Sequence, residues 1–177
     1  VISGGTPSSD QEEYWNGNIV WITPSDLSKL KFPIFDNSIR KISNKGLRNS
    51  SATLIPKKSI VISSRAPIGY VALAGVDFTT NQGCKSVVLK KHHEPLFHYY
   101  NFSFNKSKFI NRGEGTTFSE ISKKEIEKLS FYFPDRPYQR KIAKILNTVD
   151  AVIEKTEAAI AKYKAVKQGM MQDLFTR

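Results

Sequence analysis

A single cysteine, Cys84, stands in 177 residues. That excludes an internal disulfide and any thiolate zinc cluster, and it fits a reducing, cytoplasmic setting. Long hydrophobic runs are missing as well. No stretch approaches the roughly 18 apolar residues of a membrane span, and no secretory pattern is visible. The chain starts at Val1, so the natural start is expected upstream or trimmed. Carboxylates are absent between Asp36 and Asp77, while Arg40, Lys41, Lys45, Arg48, Lys57, Lys58 and Arg65 all fall there. A face meant only for solubility mixes its signs; this one does not. Chain breakers are scarce near the end: all eight prolines and nine of ten glycines precede residue 138, leaving only Gly169 beyond it.

What is present points to a polyanion. The formal net charge is +11 and the pI is near 9.7, a balance that attracts phosphate backbones and releases their counterions. Lys85, Lys90, Lys91, Lys106, Lys108 and Arg112 continue the basic run.

The distribution of breakers divides the chain into a turn-rich part, 1–135, and a helical tail, 136–177. In the first part, β-branched and aromatic runs predict strands at Ile19–Thr23, Ser59–Ser63, Tyr70–Ala74, Ser86–Leu89 and Leu129–Phe133. Thr23-Pro24-Ser25-Asp26 is a helix start, with a cap, a first-turn proline and a carboxylate at the N-terminus. Ser122-Lys123-Lys124-Glu125 is a capping-box pattern. The aromatic segment Pro95–Ile110 is expected to be helical. Short elements of both kinds predict an α/β or α+β domain with a mixed twisted sheet. In the tail, Leu146, Val149, Ile153, Thr156, Ile160, Tyr163, Lys167, Met170 and Leu174 are spaced alternately by three and four residues. That is a coiled-coil seam on a helix from about Tyr138 to Leu174. Such a helix is about 55 Å long and outreaches its own domain, so the stripe needs a partner. The other reading, a helix folded back on its own sheet, leaves part of the stripe uncovered.

Catalytic and metal-binding motifs are weak. Asp135-Arg136-Pro137-Tyr138 resembles the Asp-Pro-Pro-Tyr signature of amino-methyltransferases, but Arg136 replaces a proline and no glycine-rich cofactor loop precedes it. The plainer reading is a strand end, a proline turn and a helix start. His92, His93 and His98 lack the helical i, i+4 spacing of a zinc pair; on a strand, adjacent histidines point apart. Cys84 reads as a small buried side chain. Gly113-Glu114-Gly115-Thr116-Thr117 lacks the Lys-Ser/Thr of a nucleotide loop and suits a DNA-facing loop better, with Arg112, Thr116 and Thr117 as donors. No catalytic residue, metal site or cofactor of the chain's own is assigned.

Ordered motifs then identify a family. Ser3-Gly4-Gly5-Thr6-Pro7-Ser8, Tyr14-Trp15-Asn16-Gly17 and Ile19-Val20-Trp21 resemble the opening of type I restriction-modification specificity subunits. Gly46-Leu47, Ser50-Ser51-Ala52, Leu54-Ile55-Pro56 and Ser64-Arg65-Ala66-Pro67-Ile68-Gly69 continue the match. It runs on through Thr80-Asn81-Gln82-Gly83-Cys84-Lys85 and Gly115-Thr116-Thr117-Phe118. In the tail it includes Gln139-Arg140-Lys141-Ile142-Ala143-Lys144-Ile145-Leu146 and Lys167-Gln168-Gly169-Met170-Met171-Gln172. Tyr138 departs from the pattern, which has glutamate before Gln139. The resemblance implies a target recognition domain followed by a spacer helix, with one such unit reading half of a split site on double-stranded DNA. It further implies that two spacer helices pair antiparallel, that methylation subunits bind them and supply the S-adenosylmethionine chemistry, and that a restriction subunit cleaves. One unit here implies either a half-subunit that forms a homodimer or a fragment of a two-unit protein.

Phosphate contacts are expected from Arg40, Lys41, Lys45, Arg48, Lys57, Lys58 and Arg112, and base or sugar contacts from Asn81, Gln82, Lys85, Thr116 and Thr117. Arg65 is open between DNA contact and a turn-fixing role, and Thr80–Gly83 between a reading loop and a tight turn. Loops 34–50 and 100–114 are further candidates for discrimination. The partner-helix interface is expected at Leu146, Val149, Ile153, Ile160, Tyr163, Met170 and Leu174. Two other classes remain: a self-sufficient DNA methyltransferase or nuclease, and a coiled-coil adaptor with incidental basicity.

Overall fold

At the centre of the fold lies a strand without a polar face, β5 (Ile60–Ser63), buried at every position. Its alternation sorts side chains between two cores rather than between core and water. Ile60 and Ile62 enter one apolar cluster and Val61 the other. The computed structural model describes residues 1–65, 67–113 and 120–176. Its five-stranded sheet has the order β1-β8-β5-β6-β3, formed by β1 (Ile2–Ser3), β8 (Cys84–Val87), β5, β6 (Val71–Ala74) and β3 (Ile34–Phe35). All neighbours are antiparallel except β3, which runs parallel to β6. A three-stranded sheet joins β4 (Arg40–Ile42), β2 (Trp15–Ile22) and β7 (Phe78–Thr80), with β2 antiparallel to β4 and parallel to β7.

Three layers result. Val61, Ala72, Ala74 and Cys84 of the larger sheet pack against Val20, Ile22 and Phe78 of the smaller one, closed by Leu27 of α1 (Pro24–Lys29). On the opposite face, Ile60, Ile62 and Leu73 meet Phe102 of α3 (Pro95–Phe104), Phe109 of α4 (Lys106–Ile110) and Ile126 of α5 (Lys123–Lys128). Each fully buried Ile or Phe contributes roughly 1.5–3 kcal/mol, so this sandwich supplies the rigidity on which any surface loop depends.

Local signals set the helix ends. Thr23 and Asp26 form the reciprocal capping box at α1, and Ser122 accepts the Glu125 N–H at α5. Glu125 does not close a box there, because its carboxylate is taken by Arg112 and Lys128. The aromatic segment is helical as expected, but Asn105 divides it into α3 and α4. Leu129–Phe133 is not a strand. It is an extended connection whose Phe131 ring lies 4.6 Å from that of Phe102 and 5.6 Å from that of Phe109, so helix packing takes the place of a ladder.

The longest element is α6 (Arg136–Thr176), 41 residues and roughly 60 Å at 1.5 Å per residue. The Asp135 carbonyl accepts from the Tyr138 and Gln139 amides at its start, so the Asp135–Tyr138 stretch acts as a helix entry. Gln139 is buried there, accepting from the Glu94 amide at 3.0 Å and donating to the Pro134 carbonyl at 2.7 Å. Ala143 is the other buried residue, and the Tyr100 hydroxyl donates to Asp150 at 2.7 Å. Beyond Asp150 every described residue of α6 is exposed.

Candidate nucleic-acid interface and helical stalk

Four segments far apart in sequence meet where β2, β5 and β7 end. The Ile22 carbonyl accepts from the Asn81 amide at 3.0 Å, and the Thr80 carbonyl accepts from the Gly5 amide at 2.8 Å. Backbones approach so closely that a Cβ on Gly4 would lie 1.9 Å from the Asn81 carbonyl oxygen, and one on Gly5 would lie 2.3 Å from Ser51. This is the physical reason for the Gly4-Gly5 pair: only hydrogen fits. Asn81 Oδ1 accepts from the Gly83 amide at 3.0 Å, making 80–83 a tight side-chain-closed turn. That turn presents Gln82 to solvent, with its Oε1 accepting from the Thr6 hydroxyl at 2.5 Å.

Lys85 lies behind the turn rather than on it. Expected as a base or sugar contact, it is 6% exposed and donates to the Gln82 carbonyl at 2.9 Å and to Ser64 Oγ at 3.2 Å. It also pairs with Glu120 at 3.4 Å. Its strand is buried on both faces, so the ammonium turns inward and its three hydrogens find acceptors within the protein. The same Glu120 accepts from Arg65 Nε at 2.9 Å, and Arg65 and Glu120 form a backbone bridge. Arg65 thus has a structural tie to 120–121.

Beside the turn stands an aromatic platform. Trp15 and Trp21 meet edge to face at 5.0 Å, and their indole N–H groups donate to the Ser8 and Gly5 carbonyls, each at 3.0 Å. The guanidinium of Arg40 lies 3.5 Å above the Trp15 ring centre. Face-on stacking leaves the edge N–H groups of the guanidinium free to donate. Asp26 positions the approach to Arg40 by accepting from the Ile39 amide at 2.8 Å, and Ser38 donates to the Arg40 carbonyl at 2.6 Å. The Gly4–Ser8 segment therefore runs between Arg40 on one side and Gln82 on the other.

The remaining expected residues are spread out. Lys41 is half-buried on β4; Lys45 and Arg48 are exposed on α2 (Asn44–Arg48), with Lys45 paired to Glu13 at 2.5 Å. Lys57 and Lys58 lie at the opposite end of β5 and line a separate groove. Arg112 donates to Glu125 at 3.0 Å, and the Lys128 and Arg112 hydrogen bonds hold the Glu125 carboxyl below its usual range. Thr116 and Thr117 lie outside the described residues. The structure thus brings Arg40, Asn81 and Gln82 to one surface with Lys85 beneath. Sequence reasoning did not reach Thr6, Trp15, Trp21 and Glu120 as parts of the site. Their signals were the glycine pair demanding a close approach and two tryptophans near a carboxylate-free basic run.

Other reactive side chains are packed away. Burial pushes the Cys84 thiol far up. The rings of His92 and His93 do not diverge, because they sit in a turn rather than on a strand; their centres are 4.3 Å apart. Buried His98 shares a 2.9 Å hydrogen bond with His93 and packs on Phe102 and Phe133. Desolvation, then the neighbouring His93, lowers its pKa to about 4. Among the described residues no group of three His, Cys, Asp or Glu side chains is placed to hold a metal ion, and no helix is long and apolar enough to cross a membrane.

Along α6 the expected stripe is bare. Leu146 is 37% exposed, Ile153 50% and Tyr163 73%, and Val149, Ile160, Met170 and Leu174 are likewise open. This is a row of large apolar side chains at three- and four-residue spacing that nothing among the described residues covers.

Comparison with known proteins shows the family and the fold. Residues 1–163 match the model of the type I restriction modification DNA specificity domain. The MjaIX specificity subunit of Methanocaldococcus jannaschii is 36% identical over 156 residues, covering 87% of this chain and 36% of that protein. The EcoR124I/EcoR124II specificity subunit of Escherichia coli is 30% identical over 156 residues, covering 84% and 38%. The HsdS subunit from Thermoanaerobacter tengcongensis shares the fold with a TM-score of 0.67 at 17% identity, covering 98% of this chain and 41% of that one. A chain from a type I R-M complex has a TM-score of 0.71 at 20% identity, covering 97% and 41%. The chain thus spans about two fifths of the length of these relatives. It belongs to the type I restriction modification DNA specificity domain family.

Proposed function

We propose that this chain is the sequence-reading unit of a type I restriction-modification specificity subunit, with residues 1–135 as the reading head and 136–177 as spacer and docking helix. The observation that carries this reading is the surface shared by Arg40 and Gln82 around the Gly4–Ser8 segment. Arg40 supplies a phosphate anchor held by its stack on Trp15. Gln82, on a side-chain-closed turn, offers an amide able to donate and accept at once, the pairing that reads adenine in the major groove. The exposed positives of α2 extend the backbone contacts, and Lys85 with Glu120 keeps the turn rigid.

The bare stripe of α6 supports a second element of this proposal. It docks methylation subunits, and through them a restriction subunit, and in a half-subunit it pairs with a second copy. S-adenosylmethionine is then held by the methylation partner, the chain itself has no catalytic role, and the assembly works in the cytoplasm.

The test is to express the chain with its methylation partner and map the methylated positions in the host DNA. A bipartite motif, palindromic if one unit serves twice, is the expected result. Methylation at a continuous, undivided motif, or turnover by the pure chain with S-adenosylmethionine or magnesium and plasmid, would overturn this reading.

A further inference from the structure

At the end of the large sheet away from Gln82 lies a groove of 950 Å³ lined by both basic and apolar side chains. Since β5 and β8 are antiparallel, with Ser63 beside Cys84 and Ile60 beside Val87, the chain before β5 and the chain after β8 emerge together at this end. They bring Lys57 and Lys58 into one groove with Lys90 and Lys91. Arg136 and Arg140, one turn apart on α6 and therefore on one face, line it from the stalk. All six cations are exposed. Glu94 is the carboxylate in the lining, and it meets Arg140 at 3.7 Å; His93 also lines the groove. Asp77 accepts from the Lys57 backbone amide at 2.8 Å.

The apolar part of the lining distinguishes this groove from a phosphate track. Ile34 is 49% and Val88 44% exposed, and Pro56, Leu73 and Leu96 continue the apolar lining. A duplex about 20 Å wide would press phosphates over that surface, dehydrating it without filling it. An extended peptide fits both parts. Its side chains alternate in direction, so one set meets the apolar lining while carboxylates on the other meet the lysines. Alternate side-chain pockets beside complementary charge are how folded domains select extended segments.

We propose that this groove binds an acidic, apolar-anchored extended segment of a protein partner at the junction of head and stalk. The site is independent of the DNA-reading surface, so either can fail without the other.

The test is fluorescence anisotropy with a labelled twelve-residue peptide alternating glutamate and leucine, against the full chain. A glutamine–leucine peptide and a short duplex serve as comparators. The glutamate peptide should bind, the glutamine peptide should bind at least about ten-fold more weakly, and Lys90→Gln/Lys91→Gln should weaken the glutamate peptide by about ten-fold, the equivalent of about 1.4 kcal/mol. Duplex affinity should be unchanged in that double variant. Both positions are exposed, and a thermal melt matching wild type shows that the fold is kept; Arg140→Gln is a second variant with the same expected direction. Absence of peptide binding, equal binding of the two peptides, or equal affinity of the double variant overturns the proposal. Loss of duplex rather than peptide affinity overturns it in favour of a nucleic-acid surface.

Discussion

The Thr6 hydroxyl donates to Gln82 Oε1 at 2.5 Å across 76 residues of chain, tying the glycine-paired opening to the tip of the β7–β8 turn. The bond leaves the Gln82 amide nitrogen pointing away from a fixed oxygen, so its orientation is set before any partner arrives. Preorganised side chains lose less freedom on binding than mobile ones.

Removing the hydroxyl by Thr6→Val should therefore change recognition more than stability. Both side chains are exposed, so stability should fall by no more than about 0.5 kcal/mol. Preference for the target duplex over a scrambled one should drop several-fold in anisotropy titrations. Unchanged preference would separate Gln82 from base reading.

Lys85 and Glu120 should behave in the opposite way. Lys85→Met leaves the Gln82 carbonyl and Ser64 hydroxyl without their buried donor, a loss of about 1–3 kcal/mol. Glu120→Gln should cost less, because Glu120 is 37% exposed and solvent screens its charge. A denaturant double-mutant cycle checks this, with a coupling energy of roughly 0.5–1.5 kcal/mol expected; simple additivity would remove the pair from the account.

His98 makes stability depend on acidity. Its folded pKa of about 4 lies below the ordinary histidine value of 6.5, so the unfolded chain takes up the proton first as pH falls. The folded state keeps its full stability above about pH 6.5 and loses this contribution between there and about pH 4, below which both states are protonated. His93 is shifted the same way by burial, then by His92 and Lys90. The thermal midpoint should fall by roughly 3–8 °C across that window, and His98→Phe should flatten that part of the profile. An equally steep profile in the variant would assign the effect to carboxylates.

On the stalk, Ile153→Asp or Ile160→Asp places a charge in the middle of the bare stripe. Self-association or docking of the methylation partner should be lost in sedimentation velocity, while the head's melting transition stays in place, because neither side chain touches the core. An unchanged assembly would mean that the stripe is not the contact.

The parts of this molecule written into local sequence were readable from it. Thr23 and Ser122 cap their helices, and α6 follows from a breaker-free amphipathic tail. What depended on distant partners was not. Two- and three-residue strands such as β1, β3 and β7 have too short a pattern to stand out, and they exist because neighbouring strands offer them hydrogen bonds. Leu129–Phe133 has strand composition, yet Phe131 packs on helices. The site divides in the same way. Arg40 stands out as a candidate by charge and Gln82 by its motif, while the Trp15 stack and the inward turn of Lys85 depend on the third dimension.

The central claim is that a basic, stacked and turn-held surface grips duplex DNA, and the salt dependence of that grip tests it most directly. Binding constants for a target duplex, measured from about 50 to 200 mM salt, should fall linearly on a log–log plot with a slope of about −0.9 per phosphate contact, and Arg40→Ala should shallow that slope by about 1. Affinity indifferent to salt, or a slope that Arg40→Ala leaves untouched, would contradict the account.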